Sequence, residues 1–451
     1  MNFGANTLVE VETMKRSKKI IIIIAVLAVV IISAFAAVYI SGNSISSVVA
    51  MVMADTLTTQ EEPSTAQQES STETTGSTEQ SQEQSQEQST ADNEENVTEQ
   101  SSGAVEQSEE NKTEDLTKVK VKAIYLTGVS AGSTKTLDKY IDIINRTELN
   151  AVVIDIKDNG VVNYPSTVPA VAENGLFVKY FDPEKVIKKL HDNNIYVIAR
   201  LVCFRDEGLA MKNSNLAIKR TDGTIWKEYK KTNTGAWTNP YNEEVWKYNI
   251  DIAKEAISKG FDEIQFDYVR FPTAKKSEVN YGENLPSKVD AICAFLKLAS
   301  EELHTAGGPV SADVFGIISE SKSDGETIGQ DLERVGLDID CISPMAYPSH
   351  YAKGQEVNGV TFAKPDLDPY GVVYQTMAKT KDRISKVPGY KATVRPYLQA
   401  FTATWIGKGN YQTYGPQQIR QQIKAVYDAG FEEWILWNPK NIYAEEIFDK
   451  E

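Results

Sequence analysis

Cysteine and histidine are both scarce in this sequence. The three cysteines, Cys203, Cys293 and Cys341, are far apart and odd in number, so the spacing indicates neither a disulfide framework nor a zinc site. We interpret them as small, buried apolar residues. Three histidines among 451 residues argue against a histidine-rich metal centre and leave open only an all-oxygen Ca²⁺ or Mg²⁺ site. We therefore predict no cofactor and no metal ligands.

Signals for phosphate and nucleic-acid binding are also missing from the sequence. No glycine-rich phosphate loop and no basic stripe is present. The formal net charge is −16, but residues 55–117 hold 17 acidic residues against one base, Lys112, and account for all of it. The acidity therefore says little about the ligand of the remaining chain, and we predict no nucleic-acid partner.

Residues 55–117 contain almost no aromatic or large aliphatic side chains, and Ser, Thr, Gln and Glu dominate their composition. Such a segment cannot bury enough apolar surface to offset the entropy lost on ordering. Repulsion between its charges extends it further. We predict a disordered linker that holds a globular domain away from a membrane.

One long apolar run covers residues 20–40, interrupted only by Ser33 and Tyr39. It is long enough to cross a bilayer, which takes about 20 residues. The basic residues just before it are Lys15, Arg16, Lys18 and Lys19. The positive-inside rule then makes residues 1–19 a cytoplasmic tail and places the rest of the chain outside the cell. The alternative is a signal peptide cleaved near Ala34-Phe35-Ala36, which would give a secreted protein.

From residue 118 to residue 451, short β-branched runs alternate with amphipathic helical patterns, which indicates parallel βα units. The candidate strands are Ala123–Leu126, Ala151–Ile156, Tyr196–Val202, Glu263–Phe266, Val310–Val314, Asp340–Met345, Thr393–Leu398 and Trp434–Trp437. Eight such strands predict an α/β fold of the (β/α)₈ TIM-barrel type. An open doubly wound sheet is the alternative. Long loops follow the third strand (Phe204–Tyr241) and the sixth (Tyr347–Leu367), on the face where such barrels carry their active sites.

Polar residues recur where the predicted strands end. Buried carboxylates are costly unless they are paired, so one interpretation is a structural network of ion pairs. The other is a reactive cluster in which neighbouring charges push two carboxyl pKa values apart. The candidate residues for binding a substrate are Asp155, Lys157, Asp158, Arg200, Asp206, Tyr268, Arg270, Tyr347, His350, Arg395, Gln399, Trp437 and Asn438.

Aromatic residues form the second feature of these strand ends. They are Phe204, Tyr268, Tyr347, Tyr351, Tyr397, Phe401, Trp405 and Trp437. Sugar rings stack their apolar faces on aromatic side chains, so this set favours a glycan ligand. Packing within the barrel mouth is the alternative for each residue. Three arginines, Arg200, Arg270 and Arg395, would suit an acidic or phosphorylated glycan, or form ion pairs at the barrel mouth.

The segment GFDEIQFDYVRFP, residues 260–272, resembles the signature of a bacterial family of glycosyl hydrolase-like domains, domain of unknown function 4015. Further matching segments are VIDIKD (153–158), SADVFG (311–316), ISPMAYPSHY (342–351) and LWNP (436–439). They occur in order, and the resemblance spans about residues 122–443. It implies a barrel related to glycoside hydrolases and, more distantly, to the α-amylase type.

The resemblance also implies roles for two acids. In the related enzymes the fourth-strand Asp is the nucleophile, here Asp267, and the fifth strand supplies the general acid/base, here Asp313 in place of the usual Glu. Amylase-type enzymes carry a further Asp at the end of strand seven, but residues 395–401 contain no acid. Asp155 or Asp158 would then take a supporting role.

Two functions therefore follow from the sequence. The first is a membrane-tethered glycoside hydrolase acting on an extracellular or cell-wall polysaccharide. The second is a non-catalytic polysaccharide-binding barrel. No oligomeric state is predicted.

Overall fold

The computed structural model describes residues 119–450. The predicted cytoplasmic tail (1–19), membrane anchor (20–40) and linker (55–117) all lie outside the described residues. Within residues 119–450, no helix combines the length and the apolar character needed to cross a bilayer.

The strands are numbered here in chain order. They are β1 (Lys122–Leu126), β2 (Ala151–Asp158), β3 (Val161–Val162), β4 (Tyr196–Val202), β5 (Lys227–Tyr229), β6 (Thr234–Ala236), β7 (Glu263–Asp267), β8 (Val310–Phe315), β9 (Cys341–Met345), β10 (Gln355–Val357), β11 (Val360–Phe362), β12 (Thr393–Val394), β13 (Tyr397–Gln399) and β14 (Trp434–Trp437).

The α-helices are α1 (Gly128–Gly132), α2 (Thr134–Ile144), α3 (Pro169–Ala172), α4 (Pro183–His191), α5 (Glu207–Lys212), α6 (Glu243–Ser258), α7 (Lys288–Thr305), α8 (Lys322–Ile328), α9 (Leu332–Val335), α10 (Pro369–Ile384) and α11 (Pro416–Asp428). Short 3₁₀ turns cover Ser214–Leu216, Gly316–Ser319, Pro348–His350, Pro365–Leu367, Thr404–Ile406 and Glu445–Ile447. The starts of several helices follow from the sequence. Asp182, for example, caps α4 by accepting a hydrogen bond from the Lys185 N–H, and Pro183 is its first residue.

Eight parallel strands form a closed barrel. They are paired in the order β1, β14, β13, β9, β8, β7, β4 and β2, and β2 pairs with β1 to close the ring. All eight coincide with a predicted strand, and the bounds of β4 and β14 agree to the residue. The predicted (β/α)₈ fold is therefore confirmed for this part of the chain.

The side chains of the barrel strands alternate between two cores. Outward-facing residues such as Val152, Ile154 and Ile264 pack beneath the helices. Inward-facing residues such as Val153, Ile198 and Ile435 fill the barrel. Because β7 alternates in the same way, Glu263, Gln265 and Asp267 all point inward, at successive levels from the amino end of the strand to its carboxyl end.

The seventh barrel strand is interrupted, whereas the sequence predicts a continuous strand over Thr393–Leu398. It consists of β12, which pairs with β9, and β13, which pairs with β9 and β14. Pro396 lies between the two pieces and has no N–H to give to a neighbouring strand, which explains the break. After β14 the chain forms a single 3₁₀ turn, Glu445–Ile447.

Both long loops lie where the sequence places them, and both contain small hairpins. The loop after β4 holds α5 and the antiparallel pair β5–β6. The loop after β9 holds the pair β10–β11. A third hairpin, β2–β3, turns at Asn159 and Gly160, both of which have positive φ. A side chain at Gly160 would collide with the Gly208 backbone, so α5 packs directly on this turn.

Candidate active site

Arg200 organises a cluster of acids at the carboxyl ends of the barrel strands. Its Nε donates to Oδ2 of Asp267 at 3.0 Å, and its Nη2 donates to the same oxygen. Its Nη1 donates to Oδ1 of Asp155 at 2.5 Å. The third acid, Asp313, has its Oδ2 3.9 Å from Arg200 Nε. Asp155, Asp267 and Asp313 therefore surround a single guanidinium inside the barrel.

Asp313 is the acid of this cluster with the fewest partners. Its side chain is 2% exposed, and Oδ1 accepts no hydrogen bond within the described part of the chain. Burial, reinforced by the negative charge of Asp267, raises the pKa of the Asp313 carboxyl well above its usual value. Asp313 is therefore suited to carry a proton near neutral pH, whereas Asp267 lies against the positive charge of Arg200.

The two carboxylates are close enough to act on one bond. Because Asp267 Oδ2 and Asp313 Oδ2 lie 3.0 Å and 3.9 Å from the same Arg200 nitrogen, these oxygens are separated by at most about 7 Å. Glycosidases that retain configuration have carboxyl groups about 5–5.5 Å apart, and those that invert it about 6.5–9.5 Å. The separation is compatible with a pair of acids flanking a glycosidic bond.

Asp155 is held by a second partner, Tyr125, whose hydroxyl donates to Oδ2. Burial raises the pKa of Asp155 to about 6, even though Arg200 opposes that shift. Tyr125 lies two residues after Ala123 on β1, and the alternation of the strand turns both inward. The sequence prediction omitted Tyr125, although this alternation could have identified it.

The chain turns sharply directly after Asp267. Tyr268 has a φ of 47°, which is uncommon for a residue other than glycine, and its N–H lies 2.5 Å from Oδ1 of Asp267. The Tyr268 hydroxyl accepts a hydrogen bond from Arg205 at 3.0 Å. Strained backbone of this kind is frequent at functional sites. Here it fixes the Asp267 carboxylate relative to its own main chain.

A continuous series of aromatic rings leads from this cluster to the surface. The Trp437 ring centroid lies 6.1 Å from that of Tyr125 and 5.9 Å from that of Tyr347, on which it stacks. Phe401 contacts Trp437 at 5.2 Å and stacks under Trp405 at 5.7 Å. Trp405 is 36% exposed. The predicted residues Tyr347 and Trp437 are therefore part of one aromatic wall, which we define as Tyr125, Tyr347, Phe401, Trp405 and Trp437.

His350 and Asp158 lie at the edge of the cluster. The His350 ring packs 5.1 Å from the Tyr347 ring, its Nδ1 lies 3.0 Å from the Ser349 hydroxyl, and burial lowers its pKa to about 4. Asp158 is half-buried at the end of β2 and accepts a hydrogen bond from the Asn159 amide. Neither residue touches Arg200 in the contacts of the described chain.

Lys157 and Asp206, which the sequence analysis proposed for substrate binding, are buried away from the acid cluster. They form a buried ion pair of 2.6 Å between the barrel and α6, where Lys157 also donates to Asn249 Oδ1 at 2.9 Å. The register of β2 on β4 shifts between Asp155 and Lys157, so a bulge at Ile156 turns Lys157 away from the face that Asp155 shares.

Arg395 likewise lies away from the acid cluster. Its guanidinium pairs with Glu263 at 2.8 Å and with Glu433 at 2.9 Å. Glu263 is the first residue of β7, whereas Asp267 is the last, so Arg395 occupies the amino end of the barrel. Arg395 therefore forms ion pairs, which is one of the two alternatives that the sequence left open. These ion pairs lie at the end of the barrel opposite the mouth.

Three further residues that the sequence analysis proposed for substrate binding make hydrogen bonds within the protein. Gln399 is fully buried and donates to Asp366 Oδ1 at 2.9 Å. Asn438 donates to the Ala400 carbonyl at 2.6 Å. Arg270 is enclosed by aromatic rings and donates to the Phe271 carbonyl at 3.0 Å. The rings around its guanidinium, 4.8–5.0 Å away, are those of Trp237, Tyr268 and Phe315.

A metal site would need several ligand side chains that converge on one point. Across residues 119–450, no three or more His, Cys, Asp and Glu side chains converge as ligands for one ion. The acids of the cluster surround the Arg200 guanidinium instead.

Comparison with other proteins identifies relatives of the barrel. A family model described as "Putative glycosyl hydrolase domain", domain of unknown function 4015, matches residues 123–443. A hypothetical protein from Ruminiclostridium thermocellum is 46% identical over 42% of this chain and 97% of its own, with a TM-score of 0.40. No curated protein sequence matches the chain.

The solved structure of one glycoside hydrolase domain is similar in fold. The PgaB (BpsB) glycoside hydrolase domain from Bordetella bronchiseptica is 14% identical, covers 73% of this chain and 99% of its own, and gives a TM-score of 0.52. The spore cortex-lytic enzyme SleL from Bacillus megaterium is 12% identical, covers 72% of both chains and gives a TM-score of 0.43. The family match covers most of the chain and every barrel strand apart from the first residue of β1, so the chain belongs to the glycosyl hydrolase domain family called domain of unknown function 4015.

Proposed function

We propose that this chain hydrolyses a glycosidic bond of a cell-wall or extracellular polysaccharide, from a position tethered to the outer face of the cell membrane. One observation carries the proposal. Asp313 is buried with an unpartnered oxygen and a raised pKa, and it shares the Arg200 nitrogen with Asp267. Two carboxyl groups whose environments differ in this way are suited to the acid and base roles of a glycosidase.

In the proposed reaction, Asp313 gives its proton to the glycosidic oxygen as the bond to the anomeric carbon breaks. The leaving sugar departs as an alcohol. In one route the Asp267 carboxylate attacks the anomeric carbon and forms a glycosyl ester, which a water then hydrolyses after giving its proton to the Asp313 carboxylate. In the other route Asp267 removes a proton from a water that attacks the anomeric carbon directly, and both routes yield a reducing sugar. Arg200 holds Asp267 and Asp155 in place, and the turn at Tyr268 fixes the carboxylate.

The aromatic wall supports a sugar substrate. It begins at Tyr125, which touches Asp155, and ends at the exposed Trp405. Added along the path Tyr125–Trp437–Phe401–Trp405, the centroid distances limit its length to about 17 Å, so no more than a few sugar rings fit along it. A neutral or charged sugar chain could therefore run from the acids to the surface along one continuous face.

The test is the release of reducing sugar from bacterial wall and capsule glycans by the full-length chain in mild detergent. We expect Asp267→Asn to lower kcat by at least about a hundredfold, because general acid–base and nucleophilic groups contribute ~10²–10⁴ each. The matched control is Asp382→Asn, an exposed acid on the outer helix α10 whose partner is Lys386, and it should change kcat by no more than about threefold.

The same experiment separates the enzyme from a non-catalytic glycan-binding barrel. Release by the wild type and by Asp382→Asn, but not by Asp267→Asn, supports hydrolysis at this cluster. Retention of a wall glycan by all three proteins without any release of sugar would contradict the proposal and favour the binding module. Melting temperatures measured on each protein identify any variant that fails to fold.

A further inference from the structure

The loop between β4 and α6 contains a cavity that no part of the proposed reaction uses. Its volume is 550 Å³, and its charged lining consists of Arg220, Lys227 and Lys230. The remaining lining residues are uncharged: Met211, Thr224, Ile225 and Asn233. This stretch of the described chain therefore presents three positive charges, and no carboxylate, to one concave surface.

The charge of this loop departs from that of its domain. Residues 118–451 carry 42 basic and 44 acidic residues, which is close to neutral. Residues 211–233 alone carry six basic residues against two acidic ones. A positive surface on an otherwise balanced domain concentrates anionic ligands from solution. The excess of positive charge is therefore concentrated in the segment that forms the cavity and its rim.

Among residues 119–450, the partners of the cavity cations lie at the surface. Lys230 pairs with Glu278 at 3.0 Å and is 59% exposed, and Arg220 lies 3.8 Å from Asp222. Lys227 donates one hydrogen bond to the Asn233 carbonyl at 2.8 Å. Exposed ion pairs of this kind contribute little free energy, so an incoming anion can displace them. Each Lys ammonium also retains further N–H donors.

The cavity is linked to the acid cluster through one hairpin. Lys227 belongs to β5, whose Tyr229 hydroxyl accepts a hydrogen bond from Arg205 at 3.1 Å. Arg205 in turn donates to the hydroxyl of Tyr268, which follows Asp267. The loop leaves the barrel at the carboxyl end of β4, the same face as the cluster. A ligand in the cavity would therefore lie on the active face.

We propose that this cavity, lined by Met211, Arg220, Lys227 and Lys230, binds an anionic portion of the polysaccharide substrate. The inference rests on the proposed function and gives the substrate a chemical class, a glycan with carboxylate or phosphate groups. The cations bind the anionic groups, and the 49%-exposed Met211 supplies an apolar surface for a sugar ring. The arginines inside the barrel do not supply this site, because Arg200 and Arg395 are each paired with two buried acids.

The test is direct binding to the full-length chain in mild detergent. The probe is a fluorescent hexasaccharide of uronic acid, and the control ligand is the same hexasaccharide after its carboxyl groups are reduced to alcohols. We expect the uronate to bind at least tenfold more tightly than the reduced form, and its affinity to fall steeply with added salt. Equal affinity for the two forms would overturn the proposal.

The variant is Arg220→Gln/Lys227→Gln/Lys230→Gln, with Lys188→Gln/Lys247→Gln/Lys424→Gln as the matched control. The control removes three exposed lysines from the outer helices α4, α6 and α11. We expect the cavity variant to weaken uronate binding at least tenfold and the control to leave it within twofold. Equal losses in both variants would mean general electrostatic attraction and would overturn a specific site.

Asp267→Asn separates this inference from the proposed function. Uronate binding that persists in Asp267→Asn, together with a loss of all sugar release, supports both proposals. Binding without release by any form, the wild type included, contradicts hydrolysis alone. Binding that appears only after residues 55–117 are deleted would assign the cavity to that acidic segment and overturn the glycan as its occupant.

Discussion

Asp313 and Asp155 share the same guanidinium, yet their hydrogen bonds differ. Asp155 has two charged or polar partners, Arg200 and Tyr125, whereas Asp313 Oδ1 has none among the described residues. Burial opposes ionisation at both positions, and the Asp267 charge adds to this effect at Asp313. The two residues therefore give different tests of the cluster.

For Asp313 the test is the dependence of rate on the leaving group. We expect Asp313→Asn to lower kcat at least about a hundredfold on an unactivated glycan, because an amide cannot supply the proton. An aryl glycoside whose phenol leaves without protonation should lose far less activity. If both substrates lose activity to the same extent, Asp313 is not the acid.

For Asp155 the test is the pH dependence of stability. The folded carboxyl keeps its proton up to about pH 6, whereas in the unfolded chain it ionises near 3.8. The unfolded state therefore binds fewer protons in this window, and the contribution of Asp155 to stability falls as pH rises through it. The loss, complete above pH 6, amounts to about 3 kcal/mol.

Asp155→Asn removes this titration. We expect the free energy of unfolding of the variant, relative to wild type, to rise by up to about 3 kcal/mol between pH 4 and pH 7. Urea unfolding of both proteins at several pH values measures the difference. A difference that stays constant with pH would contradict the raised pKa of Asp155.

At the scale of elements, the ion pair between Lys157 and Asp206 joins β2, α5 and α6 outside the barrel. Asp206 also caps α5 by accepting from the Leu209 N–H at 2.7 Å, and Lys157 donates to the Val202 carbonyl at the end of β4. Asp206 itself belongs to the loop that carries the basic cavity. The ion pair therefore fixes the position of this loop relative to the barrel strands β2 and β4.

We expect Lys157→Met to destabilise the fold by about 3–5 kcal/mol, because it leaves the Asp206 carboxylate buried without its partner. Lys157→Met/Asp206→Asn should recover part of this loss, since Asn still caps a helix. Lys188→Met, which breaks an exposed pair with Asp192, should cost no more than about 1 kcal/mol. Urea unfolding measures all three, and a near-neutral Lys157→Met would contradict the structural role.

At the scale of the whole molecule, the closed barrel fixes where the chain can act. Closing β1 onto both β2 and β14 removes the free sheet edges and brings the carboxyl ends of all eight strands to one face. The acid cluster, the aromatic wall and the loop with the basic cavity all belong to that face. The amino terminus of the described chain enters β1 directly, and the predicted linker precedes it.

The predicted anchor has its own test. We expect the full-length chain to remain in the membrane pellet after alkaline carbonate extraction, since an apolar helix of about 20 residues holds a protein in the bilayer. Deletion of residues 20–40 should release it. Protease added to intact cells should digest the linker. A wild-type chain found in the medium with a new terminus near residue 37 would instead indicate cleavage.

Local patterns determined the strands and many helix boundaries of this protein. β-branched runs gave eight strands, and Asp182-Pro183 and Asp368-Pro369 each gave the start of a helix. These features depend on neighbours in the chain, so they can be recognised in the sequence. Strand order was predictable for the same reason, because a barrel of successive βα units leaves one arrangement in which neighbours pair.

The grouping of Asp155, Arg200, Asp267 and Asp313 follows from those strands, since polar residues at the carboxyl ends of parallel strands meet at one face. What the sequence could not indicate was where the regular alternation of a strand is broken. The bulge at Ile156 turned Lys157 outward, and the break at Pro396 accompanies the placement of Arg395 at the opposite end.

Only the tertiary structure decided how the charges are matched. Arg200 lies on β4, 45 residues from Asp155 and 67 from Asp267, and their contact depends on the stagger of the closed barrel. The same closure left Asp313 Oδ1 without a partner. The sequence by itself determined the elements and the set of candidate acids. The folded barrel determined which acid is paired and which has its pKa raised, because burial and distance exist only once the strands meet.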